Sequence, residues 1–211
     1  MGAVRHNDAV PARVIVLAGP SGAGKSRLAD RIGLPVLRLD DFYRSAGDPA
    51  LPLLTSGANA GLVDWDDPAS WLADDALAAV AELCRTGTAT VPIYDIAHDG
   101  RCGSQTLDLG GQDLFVAEGI FAQEIVPACR EAGLVAAAYC VRQHPIVTFW
   151  RRLVRDLREH RKPPLVLVRR GFALLRDQRR VVAHAVELGC EPVTPDEALA
   201  DVRRLRMGSR R

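Results

Sequence analysis

Lys25 and Ser26 close the run GPSGAGKS, which begins at Gly19 and fits the spacing G-x-x-x-x-G-K-[ST]. These residue types in this order suit the holding of a polyphosphate. Glycines permit backbone angles that turn successive N–H groups inward. Those donors, with the positive end of the following helix, favour anionic oxygens. Lys25 is placed to reach the β and γ phosphates, and the Ser26 hydroxyl to help hold Mg²⁺. The residues expected to bind the nucleotide are Gly19, Pro20, Ser21, Gly22, Ala23, Gly24, Lys25, Ser26 and Arg27. The alternative is a glycine turn that only packs a helix on a strand. No G-x-G-x-x-G occurs, which excludes the dinucleotide fingerprint. Of 27 basic residues only Lys25 and Lys162 are lysines. One of them stands where a compact ammonium suits the chemistry better than a planar fork.

Carboxylates follow at telling places. LFVAEG is an apolar run ending in Glu118, a candidate for ordering Mg²⁺ directly or through water. Asp40 and Asp41 end a second apolar run and so lie over the same crevice. A carboxylate there can orient an acceptor hydroxyl and take its proton. The pattern equally allows a pair of loop aspartates capping a turn. Read by pattern alone, Asp66 is a helix N-cap and Tyr94 a strand core residue.

These groups need a scaffold. RVIVLA, Arg13 to Ala18, reads as a buried parallel strand leading into the glycine loop. The pattern predicts a helix from Lys25 to Ile32, stopped by Gly33 and Pro35, and a strand from Val36 to Leu39. A long loop spans Arg44 to Val63. Asp66 or Asp67 caps a helix through WLADDALAAVAELCR to Gly87. Thr88 to Ala97 and Gln105 to Leu109 form a strand pair flanking AHDGRCGS. Leu114 to Ala117 and Leu134 to Val141 are strands, with a helix from Glu124 to Glu131 between them. Pro145 to about Gly189 is helical, interrupted at Pro163-Pro164. Cys190 to Thr194 is a last strand and PDEALADVRRL a final helix. The alternation predicts an α/β P-loop NTPase three-layer fold. It has a parallel central sheet, helices on both faces, a small β-hairpin on the acceptor side and a helical lid. Residues 13–206 form one domain, 1–12 a disordered or extended start, and 207–211 a frayed tail.

In combination the blocks become specific. LDDFYR after GPSGAGKS, then DWDDP, VPIYD, AEGIF and RRLVRD, resembles the uridine kinase (uridine–cytidine kinase) family of P-loop kinases. The match in order and rough spacing covers about residues 13 to 162. The resemblance implies ATP-dependent, Mg²⁺-requiring phosphorylation of a nucleoside 5′-hydroxyl, uridine or cytidine, as in nucleoside salvage. It implies Asp40 as the base, Asp66 on ribose hydroxyls and Tyr94 at the nucleobase. Glu118 is then the metal-associated carboxylate, and Arg152 and Arg155 are lid arginines approaching the phosphates. Tyr43 of the DDFYR block, His98 and Arg152 complete the substrate-binding set. The family carries a histidine just after its PxYD block. Here His98 falls one position earlier and Asp99 takes its place. The long segment after Lys162 and the loop from Ser45 to Val63 also depart from the family. Another small-molecule alcohol, or a nucleotide-binding regulatory role with little activity, are the alternatives.

Arg151 to Arg180 holds eleven basic residues against three acids. A solvated helix face, a nucleic-acid patch and a lid that closes over ATP all fit that pattern. The net charge of +1 and the lack of stacking aromatics there favour the lid, with no nucleic-acid partner. No apolar run reaches a membrane span and the N-terminus lacks a signal-peptide core, so a cytoplasmic protein without membrane contact is expected. Self-association into a homo-oligomer is left open. Five scattered cysteines without a CxxC pair read as reduced thiols and make a zinc site unexpected.

Overall fold

The computed structural model describes residues 11–57, 59–142 and 179–208. Five parallel strands form the sheet: β1 (Arg13–Ala18), β2 (Val36–Arg38), β5 (Leu114–Glu118), β6 (Val135–Val141) and β7 (Glu191–Val193), in the order β2-β5-β1-β6-β7. β3 (Thr88–Asp95) and β4 (Gly100–Asp108) make a separate antiparallel hairpin.

RVIVLA is central because it is apolar on both faces. From Val14 to Ala18 nothing is exposed, and alternate side chains enter different cores. Val14 and Val16 join Phe115 and Ala117 under α2 (Ala73–Thr86) and α3 (Val126–Glu131). Ile15 and Leu17 join Leu114 and Val116 under α1 (Lys25–Ile32) and α4 (Pro195–Gly208). The expected three layers, with helices on both faces of a parallel sheet, are present, and so is the small hairpin.

Several boundaries differ from expectation for tertiary reasons. β2 stops at Arg38, and Leu39–Phe42 form a 3-10 turn, so Asp40 and Asp41 ride on that turn rather than on a strand end. Asp67 caps only a short turn, Pro68–Ser70, by accepting the Ala69 N–H at 2.8 Å. The helix expected to follow directly starts at Ala73 instead. The delay comes from Trp71, which is buried. Its Nε1 donates to the Leu39 carbonyl at 2.6 Å, and its backbone bridges Tyr43 in extended form. The hairpin loop is shorter than AHDGRCGS suggested. Gly100 to Ser104 belong to β4, leaving 96–99 as the turn. The residues before α3 form a 3-10 turn, Ala122–Ile125. Residues 179–187 are helical, while the expected lid, with Arg152 and Arg155, lies outside the described residues. Among the described residues no helix is long and apolar enough to cross a membrane.

Trp71 therefore ties α2 to the turn that carries Asp40. Trp71→Phe keeps most of the apolar bulk but leaves the Leu39 carbonyl without its indole donor. It should lower unfolding free energy by about 1–3 kcal/mol, read from urea denaturation.

Candidate active site

The glycine loop leaves the C-terminal end of β1 at a residue with no room for a side chain. Gly19 has φ 127°, and a Cβ there would lie 2.5 Å from the Val141 carbonyl oxygen on β6. Such close approach in the left-handed region is open only to glycine. Gly22 and Gly24 also have positive φ. Gly24 caps α1 without a side-chain acceptor, and no acidic residue stands in the first turn. The N–H groups at this helix end therefore keep their capacity for an anion.

Lys25 is buried, and its Nζ donates to the carbonyls of Gly19 at 2.8 Å and Pro20 at 3.4 Å. The ammonium is thus held over the loop. Ser26 Oγ donates to Glu118 Oε1 at 3.0 Å. Glu118 is buried, and that burial raises its carboxyl above the ordinary range, with the Lys25 charge opposing. The donor set, a hydroxyl and a carboxylate beside an amide-lined loop, fits a hard cation riding on a polyphosphate. Among the described residues no group of three or more His, Cys, Asp or Glu side chains could hold a metal. Oxygens from the polyphosphate and water would have to complete such a coordination sphere.

Asp40 stands on the adjoining side. Its Oδ1 accepts the Ile120 N–H at 3.0 Å, just past the end of β5, while the residue stays exposed. The close fit uses Gly119, where a Cβ would lie 2.8 Å from Asp40 Oδ1 and 2.9 Å from Leu39 Cβ. Asp40 and Lys25 both bear electrostatically on Glu118. Beyond Asp40, the Tyr43 ring meets those of Trp65, Tyr94 and Phe121 at 5.8–5.9 Å. Burial, then the charges of Asp40 and Asp66, push the Tyr43 hydroxyl well up, so it stays a neutral donor, to the Trp65 carbonyl at 3.2 Å.

The loop residues, Lys25, Ser26, Glu118, Asp40, Tyr43, Asp66 and Tyr94 thus gather at one end of the sheet. His98 does not join them. Its side chain is 82% exposed in the hairpin turn, with Nδ1 2.6 Å from Asp95 Oδ2. Asp99, the next residue of the turn, adds its charge to burial in raising the Tyr94 hydroxyl. Arg27 is exposed on α1. Sequence reasoning passed over Trp65, Phe121 and Gly119. The first lay inside DWDDP and the others inside AEGIF, where only the charged residues had drawn a role. The thiols of Cys84, Cys129 and Cys140 are pushed up to about 11 and that of Cys190 to about 12 by burial, as expected of unreactive core thiols.

No protein-family model matches the chain. A solved structure from Silicibacter sp. TM1040, described as a candidate fructose transport system kinase, superposes with a TM-score of 0.60. The alignment covers 84% of this chain and 87% of that one at 17% identity. A candidate uridine kinase from Bacillus stearothermophilus aligns over 65% of this chain and 74% of its own at 19% identity, with a TM-score of 0.46. A curated Arabidopsis thaliana protein, inorganic pyrophosphatase TTM2, is 29% identical over 114 residues. That stretch is 52% of this chain and spans only 15% of the Arabidopsis protein. At such identities the structural likeness speaks for the fold. The chain has the α/β fold of the P-loop kinases, a parallel sheet between helical layers with a small hairpin beside it.

Because the folded protein binds the Glu118 proton more tightly than the unfolded chain does, ionising Glu118 costs stability as pH rises through its folded value. Glu118→Gln should therefore melt higher than the parent near pH 8, with the gap shrinking towards about pH 5 in thermal scans.

Proposed function

We propose that this protein is an ATP-dependent, Mg²⁺-requiring kinase that phosphorylates a hydroxyl of a small molecule, a nucleoside 5′-hydroxyl being the favoured acceptor, uridine or cytidine. The observation that carries the reading is Asp40. Its carboxylate is exposed, pinned by the Ile120 N–H two residues beyond Glu118, and its charge bears on both Glu118 and Tyr43. That is where an acceptor hydroxyl must be aimed at a terminal phosphate.

In this reading the loop amides and Lys25 hold the triphosphate of ATP. Ser26 and Glu118 would hold Mg²⁺, whose charge would offset that of the phosphates. Asp40 accepts the proton of the attacking hydroxyl as the new O–P bond forms and the bond to the ADP oxygen breaks. Tyr43 and Tyr94 wall the acceptor, and Asp66 accepts from its remaining hydroxyls. Arg152 and Arg155, from the sequence resemblance, would approach the phosphates. His98 takes no part in this version, and Asp99 stands nearer the acceptor side. The work would be done on small molecules in the cytoplasm, without nucleic acid or membrane.

A sugar is the second acceptor class, because the solved structure matching most of this chain is described by a fructose system. Coupled ADP release across nucleosides and hexoses separates the readings. Release that depends on a nucleoside supports the first, and release that depends on a hexose the second. Phosphate release without any acceptor, as a pyrophosphatase-like activity would give, defeats both. Asp40→Asn should cut kcat by about 10²–10⁴-fold with the affinity for ATP retained. An unchanged kcat removes Asp40 as the base.

A further inference from the structure

The two adjacent aspartates face different parts of the molecule. Asp40 takes the Ile120 N–H, while Asp41 turns the other way and its Oδ1 accepts the N–H of Tyr94, 53 positions along the chain, at 3.4 Å. A turn-capping aspartate would bond within its own turn. The Arg44 N–H, the local candidate, goes instead to the Ser70 carbonyl. The β3–β4 register shifts between Ile93 and Tyr94, at the residue whose N–H Asp41 accepts. Asp41 is half-buried, and burial raises its carboxyl, so it sits there at a cost that a solvent-facing loop residue would not bear.

The hairpin is bound to the same segment at its tip. The Ala46 N–H donates to the Asp99 carbonyl at 2.6 Å, the Arg101 N–H to Ser45 Oγ at 3.2 Å, and Tyr94 Oη to the Arg44 carbonyl at 3.4 Å. Asp99 is the one non-glycine residue with positive φ among the described residues, at 44°, and its carbonyl makes the shortest of these bonds. The tip therefore has several ties. Tyr94 itself is held twice, by its hydroxyl on the Arg44 carbonyl and by its N–H on Asp41, and only the second tie comes from the turn that carries Asp40.

We infer that Asp41 is a positioning residue: by holding the Tyr94 backbone it fixes the wall of the acceptor pocket relative to the carboxylate of Asp40 one residue away. This deepens the kinase reading and rests on it. Two consecutive residues of one 3-10 turn then set both halves of the acceptor geometry. Asp40 faces the reacting hydroxyl and Asp41 holds the backbone from which the Tyr94 ring projects. The carboxylate acts as a hydrogen-bond acceptor here, so a neutral amide oxygen can replace it.

The test compares Asp41→Ala and Asp41→Asn by two readouts. In the ligand-free protein, hydrogen–deuterium exchange at the Tyr94 amide should quicken at least about tenfold in Asp41→Ala and stay near the parent rate in Asp41→Asn. In the ADP-release assay, Asp41→Ala should raise the acceptor KM at least about tenfold while kcat and the ATP KM hold, and Asp41→Asn should restore the parent KM. A fall in kcat at unchanged acceptor KM, or no change in either variant, overturns the inference. If Asp41→Ala does not fold, Asp41→Asn decides: parent-like exchange and KM support the inference, and a tenfold rise in either overturns it. If no acceptor turns over even with the parent protein, the kinase reading fails and the exchange readout still judges the Asp41 tie by itself.

Discussion

The in-register parallel pairing of β1 with β5 is the constraint on which the site depends. It sets Leu17 opposite Glu118, so the strand that launches the glycine loop and the strand that ends in the buried carboxylate finish side by side. Ser26 and Glu118 are 92 positions apart in the chain, yet one hydrogen bond joins them. Slipping the register by one residue would turn Glu118 to the other face and bury it among side chains with no donor for it. The apolar character of both strands prevents that slip, because alternate residues fill different cores.

The same crowding fixes the backbone around the site. β6 presses on Gly19 from one side, and Leu39 and Asp40 press on Gly119 from the other. Neither glycine can accept a Cβ without displacement. The phosphate loop and the β5 exit are thus held in shape by neighbours as well as by their own turn chemistry. Such pre-organisation is what phosphoryl transfer needs, since positioning and charge compensation supply nearly all of its catalysis. Burial of Lys25 and Glu118 works in the same direction. Each has lost water, and each is stabilised by fixed protein dipoles that a charged ligand can share.

The acceptor side is built on a different principle. It lies outside the parallel sheet, with the separate β3–β4 hairpin as its strands, and draws rigidity from aromatic contacts and from bonds between segments distant in the chain. Trp71 links α2 to the turn bearing Asp40, and Tyr43 collects three rings around itself. Phe121, directly after the β5 exit, touches both Tyr43 and Trp71. The aromatic cluster around Tyr43 is therefore continuous with the core beneath α2.

Much was legible before any tertiary contact was known. RVIVLA could be read as a buried strand because five of its six residues are apolar and three are β-branched, and GPSGAGKS as a phosphate loop because its glycines and its lysine act within eight residues. The α1 and β1 boundaries agree with expectation for the same reason: their determinants are local. What the linear pattern could not decide was the division of labour between Asp40 and Asp41, the outward turn of His98, or the late start of α2. Each depends on a partner far along the chain: Ile120 for Asp40, Tyr94 for Asp41, and Leu39 for Trp71. His98 and Asp99 differ by one position, and only the docking of the hairpin tip on Ser45 and Ala46 tells them apart. The sequence by itself determined the strand–loop–helix unit and the chemistry it can do, because short-range sterics and polarity suffice for both. The tertiary structure alone decided which way each of the two carboxylates turns, because side-chain direction on a short turn is set by whichever distant N–H packing brings within reach.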